Sequence, residues 1–562
     1  MKHAKPTRGG SLAAVLALAL TLTPAASQEA GDAADDWGDF ATPEDAAGDT
    51  GGFDEWGASD DAGDTDDWGT SDWGSSDDWG DWGGTDDTGG WDDWGDFGGG
   101  DSGGSFGGFG SGDAELTFSG EAELQGRIYV DRPTWPEQAD GDYESVGDFP
   151  VTADPSAKLV VNFSASNVDA EVKLAFSPDI LEDYTEDVLE EFTVRGYFGK
   201  LKLEAGKMKV VWGKGDKLHV IDNFNSDDYT DFIIPDYIDR RLATPMFRAL
   251  LSFQTCDIRL EGVFTPGMRA DRYASEGIWL PQASYDLEQQ VAAIVAGWAY
   301  DTDGSASAAG LVSAASFDAA SLYPDTQKLK YSQAGLRLTG TFGSVDWGVS
   351  YYWGHYKSPS ANLSATIAAG DLPTLDYDVK QTFGLEAATV VGRFNLRAEA
   401  AYNLTEDTAG DDPWVHNNSV GWLFGFDFDI PVSNININIQ ETGTLILGGS
   451  KVDDAEGFAE WGAAASSLKG YDVDYDETGY TNNKLVFDVS DSLLNDKIVP
   501  EVKVLWGIER GDVVVMPSFE YKPGGNLSLK LSGMYIWCAN SDSEFYEWHD
   551  NSFVNAALKC MF

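Results

Sequence analysis

Residues 434–440 read Asn-Ile-Asn-Ile-Asn-Ile-Gln. Successive side chains of an extended chain point to opposite faces, so Ile435, Ile437 and Ile439 share one face and the polar residues the other. The same period of two recurs along the chain. Leu116, Phe118, Ala122, Leu124, Ile128 and Val130 alternate with Glu115, Thr117, Ser119, Glu121, Glu123, Gln125 and Arg127. Phe394, Leu396, Ala398, Ala400 and Tyr402 alternate with Arg393, Asn395, Arg397 and Glu399. Trp422, Phe424, Phe426 and Phe428 alternate with Gly425, Asp427 and Asp429, and Leu527, Leu529, Leu531, Tyr535 and Trp537 with Ser528, Lys530 and Ser532. The pattern predicts 18 strands, starting near 115, 156, 168, 190, 200, 245, 257, 327, 343, 376, 392, 416, 431, 484, 497, 511, 524 and 552. They run about 10 to 16 residues, against the five or six usual in globular sheets.

The connections alternate too. Short turns at Ser166-Asn167, Gly199-Lys200, Cys256-Asp257, Gly343-Ser344, Gly392 and Pro431 are interleaved with long links at 131–155, 178–189, 213–244, 265–326, 358–375, 406–415, 448–483 and 539–551; the tight link Gly511-Asp512 is the exception. A β-sandwich also alternates. Long strands, aromatics near the strand ends of the apolar face, and a short/long rhythm of connections instead predict an all-β fold: a transmembrane antiparallel β-barrel of 16–18 strands over 113–562. Closure makes this the β solution in lipid, because it satisfies every backbone donor and acceptor.

Composition changes the picture at the front of the chain. The chain has 562 residues, with 36 Lys and Arg against 95 Asp and Glu, a net charge of −59. Such acidity excludes nucleic acid as a partner. Lys2, Lys5 and Arg8, then Leu12-Ala-Ala-Val-Leu-Ala-Leu-Ala-Leu20, then Pro24-Ala-Ala-Ser27 predict a secretory signal peptide over 1–27. Residues 28–112 hold 25 acidic and no basic residues, with 24 Gly and eight Trp. Short imperfect units recur there, Asp-Asp-Trp-Gly-Asp-Phe at 35–40 and Trp-Asp-Asp-Trp-Gly-Asp-Phe at 91–97. With almost no aliphatic residues to bury, this stretch is predicted to be a disordered periplasmic tail, either a spacer or a tether whose Trp-Gly-Asp units hold a periplasmic or cell-wall partner. Without the three leader cations and the 25 tail acids, 113–562 carries −37.

The last strand places Val554, Ala556, Leu558, Cys560 and Phe562 at a spacing of two, ending on an aromatic. It resembles the carboxy-terminal recognition strand of outer-membrane proteins, which implies reading by the barrel-assembly machinery. Residues 203–248 contain Leu-Glu-Ala-Gly206-Lys-Met-Lys-Val-Val-Trp212-Gly213-Lys-Gly-Asp216, then Asp222-Asn-Phe-Asn225-Ser226-Asp-Asp, then Pro235-Asp-Tyr-Ile-Asp-Arg240-Arg241. This is similar to a strand-and-loop signature of Gram-negative porin-like barrels, an uncharacterised large-barrel family, and more loosely of substrate-selective porins. About 45 residues carry the likeness, and Asn225-Ser226 stands where an Asn-Pro is expected. The resemblance implies a channel in the outer membrane, with lipid as its surroundings, and no particular solute.

In such a barrel, chemistry lives in the lumen and in loops folded into it. The pore-lining candidates are Lys207, Lys209, Lys214, Arg240, Arg241, Arg248, Arg393, Arg397 and Glu399. If 213–244 folds inward, its cations form a basic constriction, unless Asp222, Asp227, Asp228, Asp231, Asp236 and Asp239 cancel it. Leu201, Leu203 and Ala205 are expected to face out, with a switch near Gly206 that turns Met208, Val210 and Trp212 out as well. His219 is expected to be a solvated loop residue, within reach of Asp216 or Asp222, and His355 part of an interfacial girdle. No nucleophile motif, EF-hand spacing or cysteine pairing calls for an enzyme, a metal, a cofactor or a disulfide. The expected function is passive diffusion of small hydrophilic solutes; the alternative is a surface binding or structural protein anchored by its barrel.

Overall fold

A computed structural model describes residues 114–130, 151–232, 237–253, 257–282, 285, 323–359, 375–410, 412, 415–448, 481–541 and 543–562. The predicted leader and acidic tail, Cys256 and much of the connections 265–326 and 448–483 lie outside the described residues. In chain order the strands are β1 (Ala114–Tyr129), β2 (Val151–Ala165), β3 (Val168–Phe176), β4 (Leu189–Phe198), β5 (Leu201–Met208), β6 (Ser226–Tyr229), β7 (Arg241–Leu242), β8 (Thr244–Phe253), β9 (Ile258–Thr265), β10 (Arg272–Tyr273), β11 (Gln333–Phe342), β12 (Val345–His355), β13 (Val379–Val391), β14 (Phe394–Thr405), β15 (Ser419–Ile430), β16 (Ile435–Ile446), β17 (Thr481–Ser490), β18 (Ile498–Gly507), β19 (Asp512–Tyr521), β20 (Leu527–Cys538) and β21 (Phe553–Met561).

Eighteen of these form one antiparallel sheet in which each strand pairs with its sequence neighbours, and β1 pairs with both β2 and β21. The sheet is therefore a closed barrel, as the alternation predicts. The three short strands β6, β7 and β10 form a separate small sheet. The second strand starts at Val151 rather than near 156, and the one after the longest connection at Gln333 rather than near 327. Two-residue turns at one rim need a left-handed residue, and Gly199, Gly343 and Gly392 supply it at φ of 67°, 66° and 66°.

The two faces have the compositions the alternation requires. Leu124, Phe247, Leu336, Leu385, Phe424 and Leu531 are exposed on the outside. Glu121, Arg127, Glu204, Glu261, Arg337, Glu386, Arg397, Glu399 and Asp427 are buried in the interior. The last strand closes the ring. Val554, Ala556, Leu558, Cys560 and Phe562 lie on its exposed face, while Phe553 and Asn555 are buried. Gly120 and Phe562 exchange backbone hydrogen bonds of 2.9 and 2.8 Å, and the Phe562 ring covers the bare Cα of Gly120.

The expected switch of faces near Gly206 does not occur. Pairing of β5 with β4 and with β8 runs without a register shift. Leu203 is exposed, Glu204 is buried, and Met208 keeps the parity of Glu204. Met208, Val210 and Trp212 turn inward because an interior apolar cluster, with Ile221, Phe224, Met246, Val263 and Tyr352, covers them there.

Candidate functional site

The chain leaving β5 turns into the barrel. Two glycines permit this: Gly213, at φ 130°, brings its backbone against the Glu399 carboxylate, and Gly215 folds onto the Leu218 carbonyl, where in each case a Cβ would collide. The turn so formed aims its N–H groups at one wall residue. Glu399 Oε1 accepts from Lys214 N and Gly215 N, both at 2.7 Å, and Oε2 from Val220 N at 2.9 Å. His219 Nδ1 lies 3.0 Å from Oε1. A carboxylate holding several N–H groups in a buried place forms charge-assisted bonds, the stronger class.

Further wall residues continue the grip. Gln440 Oε1 accepts from Lys217 N and Leu218 N at 3.1 Å each. Asp216 accepts from Arg397 at 2.5 Å and Asn438 at 2.6 Å, and Lys217 pairs with Asp488 at 2.8 Å. Trp212, fully buried, donates its indole N–H to Glu261 on β9 at 3.0 Å. Gly335 on β11 leaves space for the Trp212 and Phe224 rings, which a Cβ there would meet at 2.7 and 2.8 Å. Downstream, Asp231 receives both guanidinium nitrogens of Arg127 on β1, at 2.5 and 2.6 Å. Phe232 then packs against Trp279, Phe545 and Trp548 at centroid distances of 5.2, 5.2 and 5.1 Å. One segment is thus bonded to β9, β14, β16, β17 and β1 on the inner side of the wall.

Lys207 bonds Asp187 Oδ1 at 2.9 Å and the Leu189 carbonyl at 2.7 Å; Lys209 bonds the Ile238 carbonyl at 3.1 Å and Glu190 at 3.4 Å. Lys214 donates its backbone N–H to Glu399. Arg240 pairs with Asp227 at 3.2 Å and Arg241 with Asp222. Arg248 bridges Glu204 at 3.0 Å and Glu261 at 2.7 Å, and Arg397 joins Asp216 to Asp427. Arg393 is exposed in a turn, its guanidinium 5.7 Å from the rings of Phe394 and Phe428. Carboxylates thus accompany Arg240 and Arg241 in the inner loop and Arg248 and Arg397 on the wall, so loop and wall present interleaved charges, not a field of one sign.

Two histidine expectations need correction. His219 is buried against Glu399 rather than solvated beside Asp216 or Asp222, because the inward turn carries it to the wall. His355 is buried at the end of β12, 5.2 Å from the Tyr331 ring, because the connections at this rim fold over it. The loop between β3 and β4 supplies Asp187, which accepts from Arg269 at 2.7 and 2.9 Å and also from Arg272. Burial alone would raise its pKa, but the bonds and charges of Arg269, Arg272 and Lys207 outweigh it and hold the carboxyl well below the usual range. In the sequence Asn438 and Gln440 are legible only as the polar face of a strand, and nothing local marks them or Asp488 as partners of the loop.

No family model matches the chain, and no curated protein matches it. Three solved structures illustrate what the barrel is similar to. A BenF-like porin from Pseudomonas fluorescens shares 8% identity, with 79% of this chain and 98% of that chain covered, at a TM-score of 0.38. The outer membrane channel DcaP of Acinetobacter baumannii shares 9%, with 81% and 99% covered, at 0.35. OpdQ of Pseudomonas aeruginosa shares 9%, with 80% and 97% covered, at 0.39. At that distance the likenesses assign neither solute nor site residues to this chain.

Proposed function

We propose that this protein is an outer-membrane channel for passive diffusion of small hydrophilic solutes, with the loop between β5 and β8 as its constriction. The supporting observation is the latched inner loop inside a closed barrel of 18 strands with an apolar outside and a charged inside. Barrels of 16 to 18 strands leave an aqueous lumen, and a loop fastened across it sets the size of what passes. The outside fits lipid; the interior, with ion pairs such as Arg337–Glu386 at 2.7 Å and Arg248–Glu261 at 2.7 Å, fits water. Lys207, Lys209, Lys214, Arg240, Arg241, Arg248, Arg397 and Glu399 then act by holding or flanking the constriction. Val554, Ala556, Leu558, Cys560 and Phe562 form the strand that the assembly machinery reads. Residues 1–27 serve for export, and 28–112 tether a periplasmic or cell-wall partner. Swelling of liposomes carrying the purified protein, in sugars of graded size, tests the reading. Uptake with a size cut-off supports it; liposomes that stay impermeable to every sugar favour a barrel that only anchors its loops.

A further inference from the structure

A cavity of about 180 Å³ lies between the inner loop and the ends of β12 and β13 at the long-connection rim. Its lining includes three acids, Asp222, Asp227 and Asp271, and three bases, Arg241, Lys357 and Lys380. Arg241 is already committed to Asp222, and lies 3.5 Å from Asp227. Lys357 and Asp271 differ from these. Among the described residues neither has an ion-pair partner. The Lys357 ammonium rests on neutral groups, Gln333 Oε1 and Tyr352 OH, the latter at 3.4 Å. Asp271 Oδ1 accepts the Asp227 backbone N–H at 2.8 Å. A backbone bond of 3.1 Å from Asp271 N to Lys357 O fixes the two residues relative to each other. His355, also in the lining and buried, leaves Nδ1 without a hydrogen-bond partner among the described residues.

Lys357 and Asp271 are half-buried, and holding a charge partly away from water without a counter-ion in contact is costly. Burial pushes the Lys357 ammonium down to about 7 and the Asp271 carboxyl up to about 7, the latter also raised by Asp227, and the attraction of the two residues for each other only partly offsets these shifts. A simple anion in the cavity would satisfy Lys357 and face three acids. A simple cation would satisfy Asp271 and face three bases. A molecule carrying both signs satisfies both residues and leaves the net charge unchanged. The cavity has the volume of roughly six liquid waters, enough for a short aliphatic frame.

We propose that this cavity binds a small zwitterion, with its carboxylate at Lys357 and its ammonium at Asp271. The inference deepens the channel reading by naming a solute class, and rests on it for how the ligand reaches the site; binding is measured separately from permeation. The test titrates the folded full-length protein in detergent with glycine, β-alanine and 4-aminobutyrate by calorimetry, alongside propionate and propylammonium. Saturable binding is expected for at least one of the three zwitterions, about tenfold tighter than for either single-charge probe. Lys357→Met and Asp271→Asn should each weaken it by about tenfold. Absence of saturable binding by all three overturns the proposal, and so does propionate or propylammonium binding as tightly as the best zwitterion. Unchanged affinity in both variants overturns it too. The comparison of probes needs only the wild-type protein, so it decides the matter even if a variant fails to fold. Liposome swelling with the same preparation separates the two readings: permeation without binding sinks only this proposal, and binding without permeation sinks only the channel.

Discussion

The wall of the barrel and the loop inside it are specified by different kinds of information. In β14, Arg397 and Glu399 are buried inside and Leu396 and Tyr402 are exposed outside, through a period of two carried within a dozen residues. The inner loop has no such rhythm. Its path is set where Lys214 meets Glu399, 185 positions away, and where Lys217 meets Gln440, 223 positions away. The wall is redundant, since each strand is held by two neighbours along its length. The loop depends on a few charged and amide groups, and removing one leaves buried donors without acceptors. Single substitutions should therefore be tolerated over most of the wall and costly at the latch.

The wall does have one place where a single change should matter most. Gly120→Val would put a Cβ 2.6 and 2.7 Å from carbons of the Phe562 ring and 2.9 Å from the Lys158 carbonyl, at the strand pair that closes the ring. The expected outcome is loss of the folded, heat-modifiable species on unheated gels; full recovery of that species would mean that the closing pair is as tolerant as the rest of the wall. The next largest effect belongs to the latch. Glu399→Ala removes the acceptor for three backbone N–H groups and the partner of His219. It should cost the loop on the order of 3 kcal/mol, read as about hundredfold faster amide exchange at 214–220 with the wall amides unchanged. Equal acceleration in wall and loop would mean that the two are not separate units.

A smaller effect is expected from pH. Asp187 is held low by Arg269, Arg272 and Lys207 against its burial. A depressed folded pKa stabilises above the unfolded value and is lost as pH falls through the folded one. The contact between the β3–β4 connection and residues 269–272 should hold at pH 5, begin to weaken below about pH 4 and be lost only as pH falls further, through the folded value. Asp187→Asn should loosen it already at neutral pH. Amide exchange at 268–273 between pH 7 and pH 3 reads both, after correction for the intrinsic pH dependence of exchange. The smallest effect is expected at Arg393, exposed in its turn. Arg393→Ala should change stability by less than about 0.5 kcal/mol, measured by urea unfolding in detergent.

What the sequence reveals follows the same division. Strand number, parity and the closing strand are legible because side-chain direction in a strand is a local property. The inward turn is half legible: Trp212-Gly213-Lys214-Gly215 announces a tight bend, but not that its N–H groups need Glu399. The face of Met208 is misread because apolar residues inside a barrel look like lipid-facing ones until the covering loop is known. His219 and His355 are misread for a related reason: their burial comes from segments remote in sequence.

Single-channel recording of the full-length protein in planar bilayers, wild type beside Glu399→Ala, reads whether the barrel is water-filled and narrowed by a latched loop. A latched, water-filled channel should give discrete conductance steps in the wild type and larger or noisier steps in the variant, whose loop no longer holds its place. Folded, heat-modifiable protein that gives no steps in either form, or steps identical in size and noise in both, would contradict it.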